Sequence, residues 1–326
     1  MSDSTRRGGA LVVVTRRVPG EVRIEGAEVR QGPDDAMSRA ALLEHVRGAA
    51  IIVSMYNDGI DDELLDAAGD QLRGICQFAV GVNNIDFDAC KRRGVIVTNT
   101  PDAVTEGTAD LAWSLVLAVA RRVAEGDRFV RSGAYERRGV LGMAEFMGVD
   151  LTGRTLHIVG AGRIGFATAM RSIGWGMKVI YTARKRHWDF ELAPLAAERV
   201  SLEEGLARAD VVSLHTPLTP ETKHLINAER LRLMKPNAIL VNTARGPVVH
   251  EAALVEALRA KRIYGAGLDV YEFEPKVDDG LKELDNCVLT PHIGSAEERY
   301  RVMMTEMVCA NASAILAGRD APNRVG

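Results

Sequence analysis

Cysteine is scarce in this 326-residue chain, and Cys76, Cys90, Cys287 and Cys309 stand far apart with no C-x-x-C spacing. That speaks against a disulfide framework and against a zinc or other metal site, and makes a reducing cytoplasm the expected location. An excess of either charge is missing too. The 41 Lys and Arg side chains face 44 Asp and Glu, a net charge of -3, so there is no electrostatic footprint for nucleic acid or a membrane surface. A small anionic ligand must then be held by local positive charge. No apolar run reaches the roughly eighteen residues that a membrane span needs. The longest, LAWSLVLAVA (111–120), stops at Arg121 and reads as a buried helix. The opening MSDSTRRGGA carries charge without a following apolar segment of signal type. Repeats, low-complexity tracts and Pro/Gly/Ser-rich linkers are likewise absent.

What is present is an ordinary globular composition, 47% apolar and 26% charged, at a length that suits two domains better than one core. Short apolar, β-branched runs alternate with helical segments, the pattern of parallel strands buried by crossover helices. An early set comprises LVVVT (11–15), AAIIVS (49–54), LRGICQFA (72–79) and VIVTN (95–99). A later set comprises TLHIVG (155–160), MKVIYT (177–182), DVVSLH (210–215), AILVNT (238–243), AGLDV (266–270) and CVLTPH (287–292). Six strands in the later set are what a dinucleotide-binding fold uses. Between the sets, residues 105–133 read as one long helix with a Thr-x-x-Thr-x-Asp start, suited to bridging two domains. A final helix over 296–318, with apolar residues near 302, 303, 307, 308, 315 and 316, is expected to return to the first domain. The expected division is therefore 1–104 with 296–326 as one domain and 105–295 as an inserted second, with the two crossings forming a hinge.

In TLHIVGAGRIGFATAM the motif G-x-G-x-x-G falls at Gly160, Gly162 and Gly165, directly after a strand, with Ile164, Ala167, Met170 and Ile173 at helical spacing behind it. The first glycine permits a tight turn, the second lets backbone approach a pyrophosphate, and the third lets helix pack on strand. A turn that merely needs glycines explains the context less well. About twenty residues further on, where NAD-binding folds place an acid for the ribose hydroxyls, the sequence reads YTARKRH (181–187). Ala183 stands at the acidic position, followed by Arg184, Lys185 and Arg186. A carboxylate there repels a 2′-phosphate, whereas guanidinium groups bind one through charge-assisted hydrogen bonds of roughly 1.5–3 kcal/mol each. The cofactor expected is NADP(H), with NAD(H) as the second choice; the bland alternative is a solvated basic loop.

The last three strands end in NTARG (242–246), LDVYEFEP (268–275) and LTPHIGS (289–295). Carboxyl ends of strands line the ligand crevice of an open α/β sheet, so Arg245, Glu274 and His292 can converge from distant places in the sequence. Reduction of a ketone by a nicotinamide hydride leaves charge on oxygen, which calls for a positioned proton donor and a cation. Histidine supplies and retakes such a proton, a contribution of roughly 100- to 10,000-fold. A carboxylate beside an imidazole fixes its tautomer and favours its charged form, a part that suits Glu274. Arginine offers a planar fork for the carboxylate of a 2-oxo acid, a part that suits Arg245. Singly, each residue has an ordinary reading as surface charge, loop cap or core histidine; three neighbouring strand ends weaken that reading.

These segments, together with VGVNNID (80–86), ADLAW (109–113) and GDRFVRSG (126–133), resemble the D-isomer-specific 2-hydroxyacid dehydrogenase family from about Ile51 to the last helix, and within it the glyoxylate and hydroxypyruvate reductases. The resemblance implies two doubly wound parallel-sheet domains, with a Rossmann cofactor domain inserted into a flavodoxin-like substrate domain. It implies NAD(P)H-dependent reduction of glyoxylate or hydroxypyruvate to glycolate or D-glycerate, with His292 as acid/base, Glu274 as its partner and Arg245 orienting substrate. It places Met55, Tyr56, Val80, Gly81 and Val82 against substrate, with backbone amides at 80–82 taking the carboxylate. It places Thr108, Gly160, Gly162, Arg163, Ile164, Gly165, Ala183, Arg184, Lys185, Arg186, Thr216, Pro217, Thr243, Ala244, Arg245, Asp269, His292 and Gly294 on cofactor-touching segments. A helical arm over 109–150 implies a homodimer.

Two positions depart from the family pattern. His250 stands where many relatives carry Asp, a better helix cap, which is expected to affect stability and not chemistry. Tyr56 is bulkier than the aliphatic residue common in glyoxylate reductases, which leaves the preferred substrate side chain open and keeps a 2-ketogluconate or other D-2-hydroxyacid dehydrogenase as an alternative. Phosphite oxidation needs a lysine near 80–82, where FAVGVNNID has none; formate oxidation carries glutamine in place of Glu274. A dinucleotide-sensing, corepressor-like interaction protein is the rival of another class. Such proteins carry added binding segments, whereas this sequence stops within a few residues of its last expected helix.

Overall fold

The computed structural model describes residues 9–326; residues 1–8, where the opening stretch was read as carrying no signal-type segment, lie outside the described residues. In chain order the strands are β1 (Ala10–Val14), β2 (Ala27–Gln31), β3 (Ile51–Ser54), β4 (Gly74–Gln77), β5 (Ile96–Thr98), β6 (Thr155–Val159), β7 (Lys178–Thr182), β8 (Glu198–Arg199), β9 (Val211–Leu214), β10 (Ile239–Asn242), β11 (Gly265–Leu268), β12 (Cys287–Leu289) and β13 (Arg324–Val325). Two compact units emerge: the chain up to Val104 together with Ser295–Gly326, and Thr105–Gly294.

The first unit holds one sheet in the order β13-β5-β4-β3-β1-β2, parallel except for β13, which runs antiparallel to β5. Its parallel core order, 2-1-3-4-5, is the flavodoxin type of doubly wound sheet. The helix Glu298–Leu316 packs on β3, β4 and β5 of this unit, burying Met304, Val308, Ala312 and Ile315. The second unit holds an all-parallel sheet in the order β12-β11-β10-β9-β6-β7-β8. Strand order reverses between β6 and β9, which makes the carboxyl ends of those two strands the place where a doubly wound sheet opens a ligand crevice.

Strands buried on both faces are those with unbroken apolar sequence: β3, β4, β9, β10 and β11 have no exposed residue. The strands that the apolar pattern does not reveal are β2 (AEVRQ), β8 (ER) and β13 (RV), all at sheet edges and largely solvated. Charge on an edge strand blocks unwanted pairing, so such strands carry little apolar signal. The second sheet therefore has seven strands where six were expected.

The segment 105–133 is not one helix. It forms Thr105–Ala120 and Val123–Arg131, with Arg122 between them in the left-handed region at φ 55°. The first helix is a core element. It lies on β10 and β11, where Gly267 leaves no room for a side chain: an added Cβ would stand 2.7 Å from Leu115 Cβ. Trp113 donates its indole N–H to the Thr168 carbonyl at 2.9 Å and stacks on Trp175. The second helix buries no residue, so no apolar face demands that it continue straight. The Arg122 guanidinium closes the break by bonding Glu125 at 2.7 and 2.6 Å. Among the described residues, no helix is long and apolar enough to cross a membrane.

One buried polar group in the second sheet matters for stability. His157 of β6 is fully buried, with Nε2 2.8 Å from the Thr182 hydroxyl. Burial, with a smaller effect from Arg208, pushes its pKa down to about 4, and burial pushes His215 down to about 3. Both rings fold neutral, and both bind protons in the unfolded chain below its ordinary histidine value, so their contribution is present above about pH 6.5 and is lost as pH falls toward the folded values. Unfolding free energy from urea titrations is expected to decline between pH 6.5 and pH 5, and His157→Gln is expected to flatten that slope. An unchanged slope in the variant would contradict the assignment.

Candidate active site

The glycine segment follows β6 at the switch point. Gly160 has φ +104° and sits so close to β9's continuation that an added Cβ would lie 2.7 Å from the His215 carbonyl group and 2.9 Å from Thr216 N. An added Cβ at Gly165 would lie 2.3 Å from Gly160 O, which is what the close packing of helix on strand requires. Gly162, by contrast, faces open space and is the N-cap of the helix Arg163–Arg171 without any side-chain cap. The uncapped helix start that Gly162, Arg163 and Ile164 present is thus suited to receive phosphate oxygens. Buried hydroxyls of Thr216 and Thr243 have no hydrogen-bond partner among the described residues. Orphaned donors at the ends of β9 and β10, beside an open helix start, fit a dinucleotide.

The basic stretch is held from both sides. Arg199 of β8 donates to Ala183 O at 3.2 and 2.9 Å and to Arg184 O at 3.0 Å. At the other end the Tyr181 hydroxyl accepts the His187 amide at 3.0 Å and donates to Glu191 at 2.7 Å. Arg184 and Lys185 extend into solvent, whereas Arg186 already has a carboxylate partner: its Nε bonds Glu191 at 2.6 Å and its guanidinium stacks on Trp188 at 4.0 Å. Arg199 carries no sequence motif, since its part depends on β8, an edge strand of two residues.

Three strand ends come together in the second unit. After β10, Asn242 forms a turn by accepting Ala244 N at 3.0 Å and donating to Arg245 O at 2.9 Å. After β12, His292 sits in the left-handed region at φ 54°, a conformation that costs a bulky residue on the order of 1–3 kcal/mol. Asp269, at the end of β11, holds it there. Its carboxylate accepts from the Thr290 hydroxyl (2.6 Å), Ile293 N (2.8 Å) and Gly294 N (2.9 Å), while its carbonyl accepts His292 N at 2.9 Å. Burial raises the Asp269 pKa, against the opposing effect of those bonds and of His292. Thr108 joins the same loop, donating to Gly294 O at 3.3 Å.

In that geometry His292 Nδ1 stands 2.8 Å from Glu274 Oε2. Glu274 Oε1 accepts the Tyr271 amide at 2.9 Å. Burial opposes ionisation of Glu274, but the His292 bond and charge, the Tyr271 amide and the Arg245 guanidinium outweigh it and hold the carboxyl below the ordinary glutamate value. With Nδ1 engaged by Glu274 the ring is held in one orientation, a suitable arrangement for proton transfer. Arg245 is brought to the pair by backbone contact between loops: a Cβ on Gly246 would lie 1.7 Å from Tyr271 O.

In the first unit, Met55 is buried at the end of β3 and Tyr56 is exposed. Met55 N donates to Asp58 at 2.8 Å, and Asn84 donates to Met55 O at 3.1 Å and Asp58 O at 2.7 Å. After β4, the loop of Val80, Gly81 and Val82 is anchored through its carbonyls. Asn99 donates to Val80 O at 2.9 Å and Gln77 to Gly81 O at 3.2 Å. Among the described residues no backbone carbonyl accepts from the amides at 80–82. Of these anchors Gln77 interrupts an apolar run, a signal that motif reading passes over, whereas Asp58, Asn84 and Asn99 stand in polar stretches and give none.

Gly246 is thus a packing requirement, because any side chain there collides with backbone. Gly246→Ala is expected to destabilise the protein by about 1–3 kcal/mol, the usual cost of overpacking. Chemical denaturation checks this, and a variant as stable as the parent would show that the two loops are not in fixed contact.

Known proteins resemble this chain over nearly its whole length. Residues 113–294 match the family model for the D-isomer specific 2-hydroxyacid dehydrogenase NAD binding domain. A glyoxylate reductase of Thermococcus onnurineus is 48% identical over 319 residues, 96% of this chain and 95% of that protein. One from Pyrococcus horikoshii is 46% identical over 320 residues, covering 96% of this chain and 95% of that one. Among solved structures, the NADPH-dependent glyoxylate/hydroxypyruvate reductase of Sinorhizobium meliloti, in complex with NADP and malonate, superposes with a TM-score of 0.81 at 30% identity, over 98% of this chain and 97% of that one. With two doubly wound sheets, an open glycine loop at the switch point and near-full-length likeness to such enzymes, the chain belongs to the D-isomer specific 2-hydroxyacid dehydrogenases and uses a nicotinamide dinucleotide.

Proposed function

We propose that this protein reduces a small 2-oxo acid, glyoxylate or hydroxypyruvate, to the corresponding D-2-hydroxy acid at the expense of NAD(P)H. The observation that carries the reading is the 2.8 Å His292–Glu274 pair beside Arg245, on strand ends that follow an open glycine loop. The Thermococcus and Pyrococcus relatives, glyoxylate reductases by name, support the substrate class.

Gly162, Arg163 and Ile164 would hold the pyrophosphate, with Thr216, Pro217, Thr243, Ala244 and Gly294 lining the remainder. A bound nicotinamide supplies the hydride that the ketone carbon accepts. His292 gives a proton from Nε2 to the ketone oxygen as negative charge develops there, and takes it back in the oxidative direction. Glu274 accepts the hydrogen bond from Nδ1–H throughout, which holds the ring's orientation and tautomer. Arg245 polarises the ketone and steadies the substrate carboxylate. For the first unit, the family resemblance supports a substrate role for the amides of Val80, Gly81 and Val82 and for Met55 and Tyr56. His292→Asn is expected to lower kcat by roughly 100- to 10,000-fold with little change in cofactor KM. Retained turnover would remove His292 from the chemistry.

The cofactor reading favours NADPH, supported by Ala183 in place of an acid and by solvated Arg184 and Lys185 on a pre-ordered loop. Arg186, paired with Glu191, contributes its charge less directly. Steady-state assays with both cofactors are expected to give a lower KM for NADPH, and Arg184→Asp to raise that KM selectively. A wild-type preference for NADH would overturn the reading. Of the expected arm 109–150, residues 109–120 belong to the core helix; the remainder exposes Val140, Met143 and Met147, which supports a homodimer formed through it. Sedimentation equilibrium is expected to return twice the chain mass; a monomer contradicts it.

A further inference from the structure

Glu274 reaches His292 from a tight turn in which Lys276 N donates to Phe273 O at 2.9 Å. The base of that turn is closed by a carboxylate from another element. Glu251, the first residue of the helix Glu251–Arg259, is buried at 6% exposure and carries no basic partner within its bonds. Its Oε2 accepts Glu272 N at 2.8 Å and its Oε1 accepts Asp278 N at 2.8 Å, so one side chain ties both ends of the segment 272–278. Glu272 returns the contact: Oε2 accepts Glu251 N at 3.1 Å, and Oε1 stands 2.6 Å from His224 Nε2. The His224 ring meets His250 edge to face at 4.6 Å, and His250 caps the same helix by accepting Ala253 N at 3.2 Å.

We propose that Glu251 is a positioning residue for the Glu274–His292 pair: its carboxylate fixes the turn that aims Glu274 at the imidazole. The proposal rests on the acid/base reading of that pair. Two oxygens are needed because two amides, six residues apart in sequence, must be held at once. Glutamine has a single carbonyl oxygen and releases one end. The turn then samples positions in which Glu274 no longer meets Nδ1, and the imidazole loses its fixed orientation. Gly246, packed on Tyr271 O just before this segment, transmits the same constraint to Arg245.

The test is a double-mutant cycle on the full chain, read as kcat against KM with NADPH and the better of glyoxylate and hydroxypyruvate. Glu251→Gln is expected to lower kcat about ten-fold, the scale of loss when an outer-shell partner is removed, while NADPH fluorescence titration shows unchanged cofactor binding. In a Glu274→Gln background the same change is expected to cost less than about two-fold, because the residue it acts through is already gone. Losses that multiply in the double variant, or a Glu251→Gln enzyme with a lower Tm and unchanged kcat, overturn the proposal. If Glu274→Gln alone leaves kcat intact, the acid/base reading is what fails. Should Glu251→Gln not fold, Asp278→Pro removes one of the two clamped N–H groups at a φ of -57°, close to the value proline imposes. The same kcat-against-KM split is expected there, and its absence counts against the clamp.

Discussion

The geometry of the second unit turns on one hydrogen bond, His292 Nδ1 to Glu274 Oε2, and on the backbone that makes it possible. His292 reaches Glu274 only from a left-handed conformation that a free chain avoids. The cost is offset by Asp269, a buried carboxylate satisfied almost entirely by the loop that carries the histidine. Asp269, expected from the resemblance to act on the cofactor side, is in the structure first a brace for the 290–294 segment. On the other side of the bond, Glu251 and Glu272 brace the Glu274 turn. Two residues that meet at 2.8 Å are thus each anchored by a separate carboxylate.

Close approach of backbones is the second constraint, and it explains where side chains are missing. Gly160 lies against the end of β9, Gly246 against Tyr271, and Gly267 under Leu115 of the Thr105–Ala120 helix. The first lets the glycine loop lie against the end of β9 at the switch point; the second joins the Arg245 and Glu274 loops; the third seats a core helix on β11. Of the three motif glycines, Gly162 faces open space, so a group placed against it displaces no protein atom.

Much of this was legible in the sequence, for a physical reason. Strands buried on both faces must be apolar, so β3, β4, β9, β10 and β11 announce themselves, as does G-x-G-x-x-G after β6. The trio Arg245, Glu274 and His292 could be picked out because polar residues ending three apolar strands have no packing reason to be there. Edge strands β2, β8 and β13 could not, since solvation removes the apolar pattern. Arg199 went unseen with β8, and the break at Arg122 went unseen because no glycine or proline marks it. His250 was read as a weaker cap with no bearing on chemistry; it does cap its helix, and its ring also lies against His224, a partner of Glu272, two positions from Glu274. Networks of this kind link residues 224, 250, 251 and 272, and nothing in local composition shows that they meet.

Reduction by this site delivers hydride to one face of the 2-oxo carbon and a proton to its oxygen. The direct test is to supply hydroxypyruvate with NADPH deuterated at both positions of the nicotinamide C4 and analyse the glycerate by chiral chromatography and mass spectrometry. D-glycerate carrying one deuterium at C2 is the predicted product. L-glycerate, unlabelled glycerate, or no glycerate with glyoxylate also left unreduced, would contradict it.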